Sequence, residues 1–254
     1  MDIYAFPPVA ALLDAAYAML MWLAGALEPL AGSAAAAASV VVLTVLVRAL
    51  LIPAGIAQAK AEQTRSRLAP RLWELQKRHR RDPERLQRET MKLYADEKAS
   101  PFAGCLPVLA QAPVVGVVYT LFLHTAIAGH ANALLAEHLF DVPLGASLVG
   151  TLVAGTATAA TWAVFGGIVA VIVVVAEVTR RAFRPQVHAP SGDAGSPGLP
   201  GGAAVAKLAG ALQFTTAVFA LFVPLAAALY LAVTVTWTLV QRLVLRRRYP
   251  LAPA

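Results

Sequence analysis

The sequence predicts an all-α, polytopic membrane protein with five transmembrane helices, an N-terminal interfacial helix and a cytoplasmic helical hairpin. Three observations carry this. Of the 254 residues, 59% are hydrophobic and 14% charged, and the mean hydropathy is +0.66, well outside soluble usage. The apolar residues are gathered into separate runs, long enough to cross a ~30 Å hydrocarbon core at ~1.5 Å per helical residue. The 21 Lys and Arg fall almost entirely on alternate segments between those runs. The single Cys105 cannot form an intrachain disulfide, so no oxidising compartment is implied.

The elements follow in order. Residues 1–32 place Val9, Leu12, Leu13, Tyr17, Leu20, Leu23 and Leu27 at helical spacing, interrupted by Asp14 and closed by Glu28 and Pro29. This is an amphipathic helix expected to lie on the membrane rather than cross it. No Lys or Arg precedes its apolar stretch, so a signal peptide is not expected. Residues 33–57, SAAAAASVVVLTVLVRALLIPAGIA, carry one charge and form the first span. Residues 58–101 then hold 12 Lys and Arg against 7 Asp and Glu. Leu68, Leu72 and Leu75 make one apolar stripe, and Leu86, Leu93 and Tyr94 a second. Between them Asp82 offers an N-cap and Pro83 a first helical position. Two amphipathic helices side by side satisfy this pattern, the first bent at Pro70.

Residues 102–127 give the second span, where Pro107 and Pro113 predict a kink supported by other spans. Residues 128–161 combine a polar external loop with an approach segment rich in Gly, Ala and Thr. Residues 162–178 form the third span, and 179–207, rich in Pro, Gly and Ser, a flexible cytoplasmic loop. Residues 208–245, broken by Pro224, are too long for one crossing and read as the fourth and fifth spans, with 246–254 as a basic tail. Orientation follows from the basic residues. Twelve lie in the hairpin, 4 between Arg180 and Lys207, 4 from Arg242 onward, and one is Arg48, whereas residues 1–32 and 128–143 hold none and carry five carboxylates. The N-terminus is therefore expected outside and the C-terminus in the cytoplasm, a parity that five spans satisfy.

A cation inside a span costs roughly 2.5–3.5 kcal/mol on insertion scales, so Arg48 needs a polar cavity or a partner. Snorkelling is the bland alternative, but Arg48 lies about nine residues, roughly 13 Å, from Ala57, beyond the easy reach of its side chain. Thr44, one turn earlier, shares its face, and Gln111 is another hydrogen-bonding group within a span. Threonine also bonds its own helix backbone, and glutamine also bridges helices. The only carboxylate in a confident span is Glu177, near a cytoplasmic end, which disfavours a proton or sodium relay. His124, His130 and His138 have no partners at metal-ligand spacing, Ser39 and Ser147 have no histidine within the bilayer, and no glycine loop resembles a P-loop. No catalytic residue, metal or cofactor is expected. In the hairpin, Arg65, Arg71, Arg78, Arg81 and Arg85 are the candidate contact residues. Alternating signs, as in Arg85 with Glu89, mark a solvated surface and topology signal. The surplus positive charge would also attract anionic lipid headgroups or ribosomal RNA.

The run ETMKLYADEKASPFAGCLPVLAQAPVVGVVYTLF, with VRALLIP before it and Pro224, Leu229-Tyr230 and Gln241 near the end, resembles the YidC family of membrane protein insertases. The resemblance implies five core spans around a hydrophilic groove, open to the cytoplasm and to lipid, and no enzymatic step. It makes Arg48 the groove charge and Thr44, Gln111 and Tyr230 its lining. It implies nascent membrane proteins as substrates, the ribosome, the Sec translocon and anionic lipids as partners, and no DNA. A partly hydrated cavity would lower the cost of moving a polar tail through hydrocarbon, while the apolar substrate segment leaves sideways into lipid. The rival reading is a small anion-selective channel or transporter using Arg48, although no internal inverted repeat supports a transporter.

Overall fold

The computed structural model describes residues 7–97, 99–100, 106–127, 129–183 and 214–250, with side chains in the fifth helix described from residue 115 onward. Cys105, the tail from 251 and the expected loop from 184 to 207 lie outside the described residues. The chain divides into two compact units, Met1–Arg48 with Val115–Leu239, and Ala49–Val114 with Val240–Ala254.

The first unit opens with α1 (Pro7–Ala31), which leads through a 3₁₀ turn at Gly32–Ala34 into α2 (Ala35–Leu50). Gly32 has φ +52°, a left-handed conformation that ends α1 without the strain a Cβ would bring. Ala35, Ala36, Ala37, Ser39 and Val40 are all buried. Small side chains let helix backbones approach closely, which matters where surrounding lipid is as apolar as the helices. The same device recurs in α9 (Leu225–Arg248), whose Ala226, Ala227 and Ala228 are buried. Between these lie α5 (Leu106–Leu123), the short α6 (Leu148–Val153), α7 (Ala159–Ala182) and α8 (Thr215–Phe222). Leu20, Val40, Phe122, Phe165, Ile172 and Leu225 meet in one continuous core. Helix α8 packs against α6 and α7. Thr158 and Thr161 form a reciprocal cap that starts α7 three residues before its expected span and leaves the approach segment as α6 and a loop.

Two minute antiparallel pairs interrupt the helices: β1 (Ala126–Ile127) with β2 (His130–Ala131), and β3 (His138–Leu139) with β4 (Val142–Pro143). Strands of two residues have no alternation to read, so an all-helical expectation misses them. Phe140 and Asp141 turn the second pair with φ +49° and +64°, the double positive-φ geometry of a tight hairpin.

Among the described residues, three stretches are long and apolar enough to cross a membrane: Pro7–Leu50, which comprises both α1 and α2, Ala159–Ala182 and Leu225–Arg248. Helix α5, at 18 residues, is about 27 Å long.

The second unit is built on α3 (Ile52–Arg78) and α4 (Pro83–Asp96). One residue, Leu51, separates α2 from α3, and Pro53 takes a first-turn position where its missing N–H is no loss. Pro70 lies inside α3, which carries on as helix to Arg78. The hairpin turn is made as its sequence predicts, with Asp82 Oδ1 accepting from the Arg85 N–H at 2.9 Å and Pro83 opening α4. Ala61 and Leu68 on α3 and Tyr94 on α4 are the buried residues of the pair. Glu97 closes it by accepting from Arg67 at 2.9 Å and Arg71 at 2.6 Å.

Candidate functional site

Arg48 lies in the last turn of α2, a helix with no other charged residue. It is half-buried, and among the described residues it makes no hydrogen bond or ion pair. Its position near a helix C-terminus brings a favourable dipole interaction of about 0.3–1 kcal/mol. That is well below the roughly 2.5–3.5 kcal/mol cost of a mid-membrane cation, so the dipole by itself does not account for an arginine there. Thr44, one turn earlier, is buried and donates through Oγ1 to the Val40 carbonyl at 2.6 Å. The bland reading of that threonine therefore holds for its proton, while its oxygen still has acceptor capacity.

Tyr230 is half-buried in the first unit against the main core, its ring tilted 50° to Phe122 with centroids 6.0 Å apart. Val47, next to Arg48, packs on the same cluster. Gln111 lies on α5 in the second unit, with its side chain outside the described residues. Arg48, Thr44 and Tyr230 thus share the first unit, and Gln111 is grouped apart.

One polar group escaped the sequence reading. Thr234 sits one turn after Tyr230 on α9, and its buried Oγ1 has no hydrogen-bond partner among the described residues. Buried hydroxyls are nearly always paired, so an orphan one on the helix that carries Tyr230 marks a place for a further polar group. The signal available was its i+4 spacing from Tyr230 on a helix otherwise apolar in this stretch. A cavity of about 460 Å³ also lies in this unit, lined among others by Met21, Gly25, Glu28, Ser33 and Glu137. None of the expected site residues borders it.

In the hairpin, Arg71 is committed to Glu97, which makes it a clasp rather than a free contact. Arg65, Arg78, Arg81 and Arg85 are exposed. Lys77 stands over the ring of Trp73 at 5.4 Å, so a half-exposed aromatic carries a cation on the hairpin surface.

Comparison with known proteins places these features in a family. Residues 27–252 match the family described as 60Kd inner membrane protein. A stretch of 84 residues is 38% identical to a membrane protein insertase YidC of Clostridium perfringens, covering 33% of this chain and 35% of that protein. The corresponding protein of Dechloromonas aromatica is 39% identical over 106 residues, 42% of this chain and 19% of its own. That of Streptomyces avermitilis is 35% identical over 116 residues, 42% and 27%. The matched stretches therefore span about a third or less of those relatives' length. The family model, by contrast, takes in α2 through α9 with the half-buried Arg48 and the basic hairpin, and the chain belongs to the 60Kd inner membrane protein family, that of the YidC membrane insertases.

Proposed function

We propose that the chain is a membrane protein insertase of the bacterial cell membrane, which receives nascent membrane proteins in a hydrophilic groove and releases their apolar segments into lipid. The observation that carries this reading is Arg48, a half-buried cation on an apolar helix with no hydrogen-bonding partner among the described residues. It is joined by relatives whose printed name is membrane protein insertase. A cation held in this way is available to polar or acidic parts of a substrate. Thr44 and Tyr230 line the groove with it, and Thr234 adds a buried hydroxyl that has no partner among the described residues. No bond is made or broken.

On this reading α2, α5, α7, the block from residue 208 that includes α8, and α9 are the five spans, and α1 lies at the interface. The hairpin, the loop after α7 and the tail face the cytoplasm, in keeping with the one-sided Lys and Arg. The exposed Arg65, Arg78, Arg81 and Arg85 are where the ribosome or the Sec translocon would meet the hairpin. A photo-crosslinker at residue 48 tests the groove. Stalled nascent membrane proteins are expected to crosslink there, and substrates with acidic tails should insert at least tenfold less well in Arg48→Ala while neutral ones change less. Equal losses for both tails would reject the electrostatic role. Anion flux in liposomes without any nascent-chain crosslink would replace the insertase by a channel.

A further inference from the structure

We propose that the root of α3 and the end of α9 together form a binding site for an anionic phospholipid. The proposal rests on the membrane reading above and goes beyond it by naming the ligand and the residues. Within the second unit the two helices are seamed at four successive points. An ideal Cβ on Gly55 would stand 1.8 Å from Gln241 Nε2, so only glycine leaves room for that amide as it lies. Further along, Lys60 Nζ lies 5.8 Å from the centre of the Tyr249 ring, and Arg246 Nη2 is 3.5 Å from Glu62 Oε1. Gln63 Nε2 donates to the Pro250 carbonyl at 3.0 Å. The end of α9 is thus fastened along α3 rather than trailing from it.

The seam concentrates charge. Lys60, Arg242, Arg246, Arg247 and Arg248 lie along this seam, where Arg246 also meets the Glu62 carboxylate in a long, partly exposed contact. Exposed apolar side chains lie close by: Val240, Leu243 and Val244 on α9, within two turns of Arg242 and Arg246, and Leu50 at the end of α2 with Ile52 at the start of α3, two to three turns before Lys60. An apolar surface ending in a cluster of cations is the pattern of a membrane border. Free phosphate or RNA would use the cations and leave the apolar row unexplained. A phospholipid uses both, its acyl chains on Leu243 and Val244 and its phosphate at Lys60 and the arginines.

The test uses the full-length chain, delipidated in detergent, with native mass spectrometry reading the binding of phosphatidylglycerol and of phosphatidylcholine with the same acyl chains. The triple variant Lys60→Gln, Arg242→Gln, Arg246→Gln should weaken phosphatidylglycerol binding at least tenfold. An equal charge removal at the hairpin tip, Arg78→Gln, Arg81→Gln, Arg85→Gln, should change it less than twofold. If the first triple melts lower than the parent in phosphatidylcholine, the double variant Arg247→Gln, Arg248→Gln, which leaves the seam contacts in place, should still lose at least threefold. Equal losses at seam and tip, or no preference for phosphatidylglycerol in the parent chain, would overturn the site. So would inorganic phosphate or an RNA hairpin competing as well as the lipid. No nascent chain is present in this measurement, so its failure leaves the insertase reading standing, and failure of the crosslinking at residue 48 leaves the lipid site standing.

Discussion

The connection from His124 to Ser147 and the hairpin from Ile52 to Glu97 are both polar excursions from apolar helices, yet they are held in opposite ways. The first is fastened by backbone groups. Asn132 donates to the carbonyls of Leu121 and His124 at 2.7 and 2.9 Å, closing the end of α5, and the Ala133 N–H donates to the Tyr17 hydroxyl at 3.1 Å. At the start of α9, the Leu225 and Ala226 N–H groups, which have no partner within their own helix, donate to the Ala146 and Leu144 carbonyls at 2.8 and 3.0 Å. Leu134, Val142 and Leu144 are buried beneath these bonds. The hairpin buries Leu68 and Tyr94 and is closed by Glu97 with two arginines whose side chains are more than 60% exposed. One excursion is a built part of its unit, and the other is a solvated arm with a sparse clasp. The difference teaches where each can move: opening the loop breaks buried hydrogen bonds, whereas opening the hairpin breaks surface ion pairs and exposes a few apolar side chains such as Leu68 and Tyr94.

Asn132→Ala should break the comparison most severely. It removes the donor to two backbone carbonyls in a buried setting and is expected to cost about 1–3 kcal/mol, seen as a lower melting temperature in detergent and faster proteolysis after α5. An unchanged melting temperature would mean the loop is held by its apolar residues alone. Phe140 offers a change of opposite sign. A bulky residue at positive φ is strained and Phe140 is exposed, so Phe140→Asn should stabilise the loop by about 1 kcal/mol. A fall in stability would show that the ring has a contact worth more than the strain.

Smaller effects are expected in the hairpin. Glu97→Gln removes both clasping pairs, and because the arginines are so exposed the loss should stay under about 1 kcal/mol and fade in high salt. Hydrogen exchange across α4 at low and high salt measures it, and a loss that persists in high salt would make the clasp more than electrostatic. Gly55→Ala should change least. The added methyl displaces only the mobile end of Gln241, and the gain in helix propensity, about 1 kcal/mol, opposes that displacement. A net change within about 0.5 kcal/mol is expected, and a larger destabilisation would show that the Gln241 amide cannot move aside.

The sequence by itself determined the membrane class, the polarity of the hairpin and its Asp82-Pro83 turn. Each of these rests on local quantities: hydropathy summed along a run, charge counted between runs, or a cap whose partner is three residues away. Strands of two residues carry no alternation, so the two strand pairs of the 124–147 connection and the Asn132 clamp were visible only once the chain had closed on itself. The same holds for the orphan hydroxyl of Thr234, since threonine on a helix ordinarily bonds its own backbone, as Thr44, Thr236 and Thr238 do. Only packing decides which one cannot. Glu97 as the hairpin clasp, and Gly55 as the place where α9 meets α3, likewise join residues 26 to about 190 positions apart. Periodicity reports which face of a helix is apolar and carries no information about which distant element will cover it.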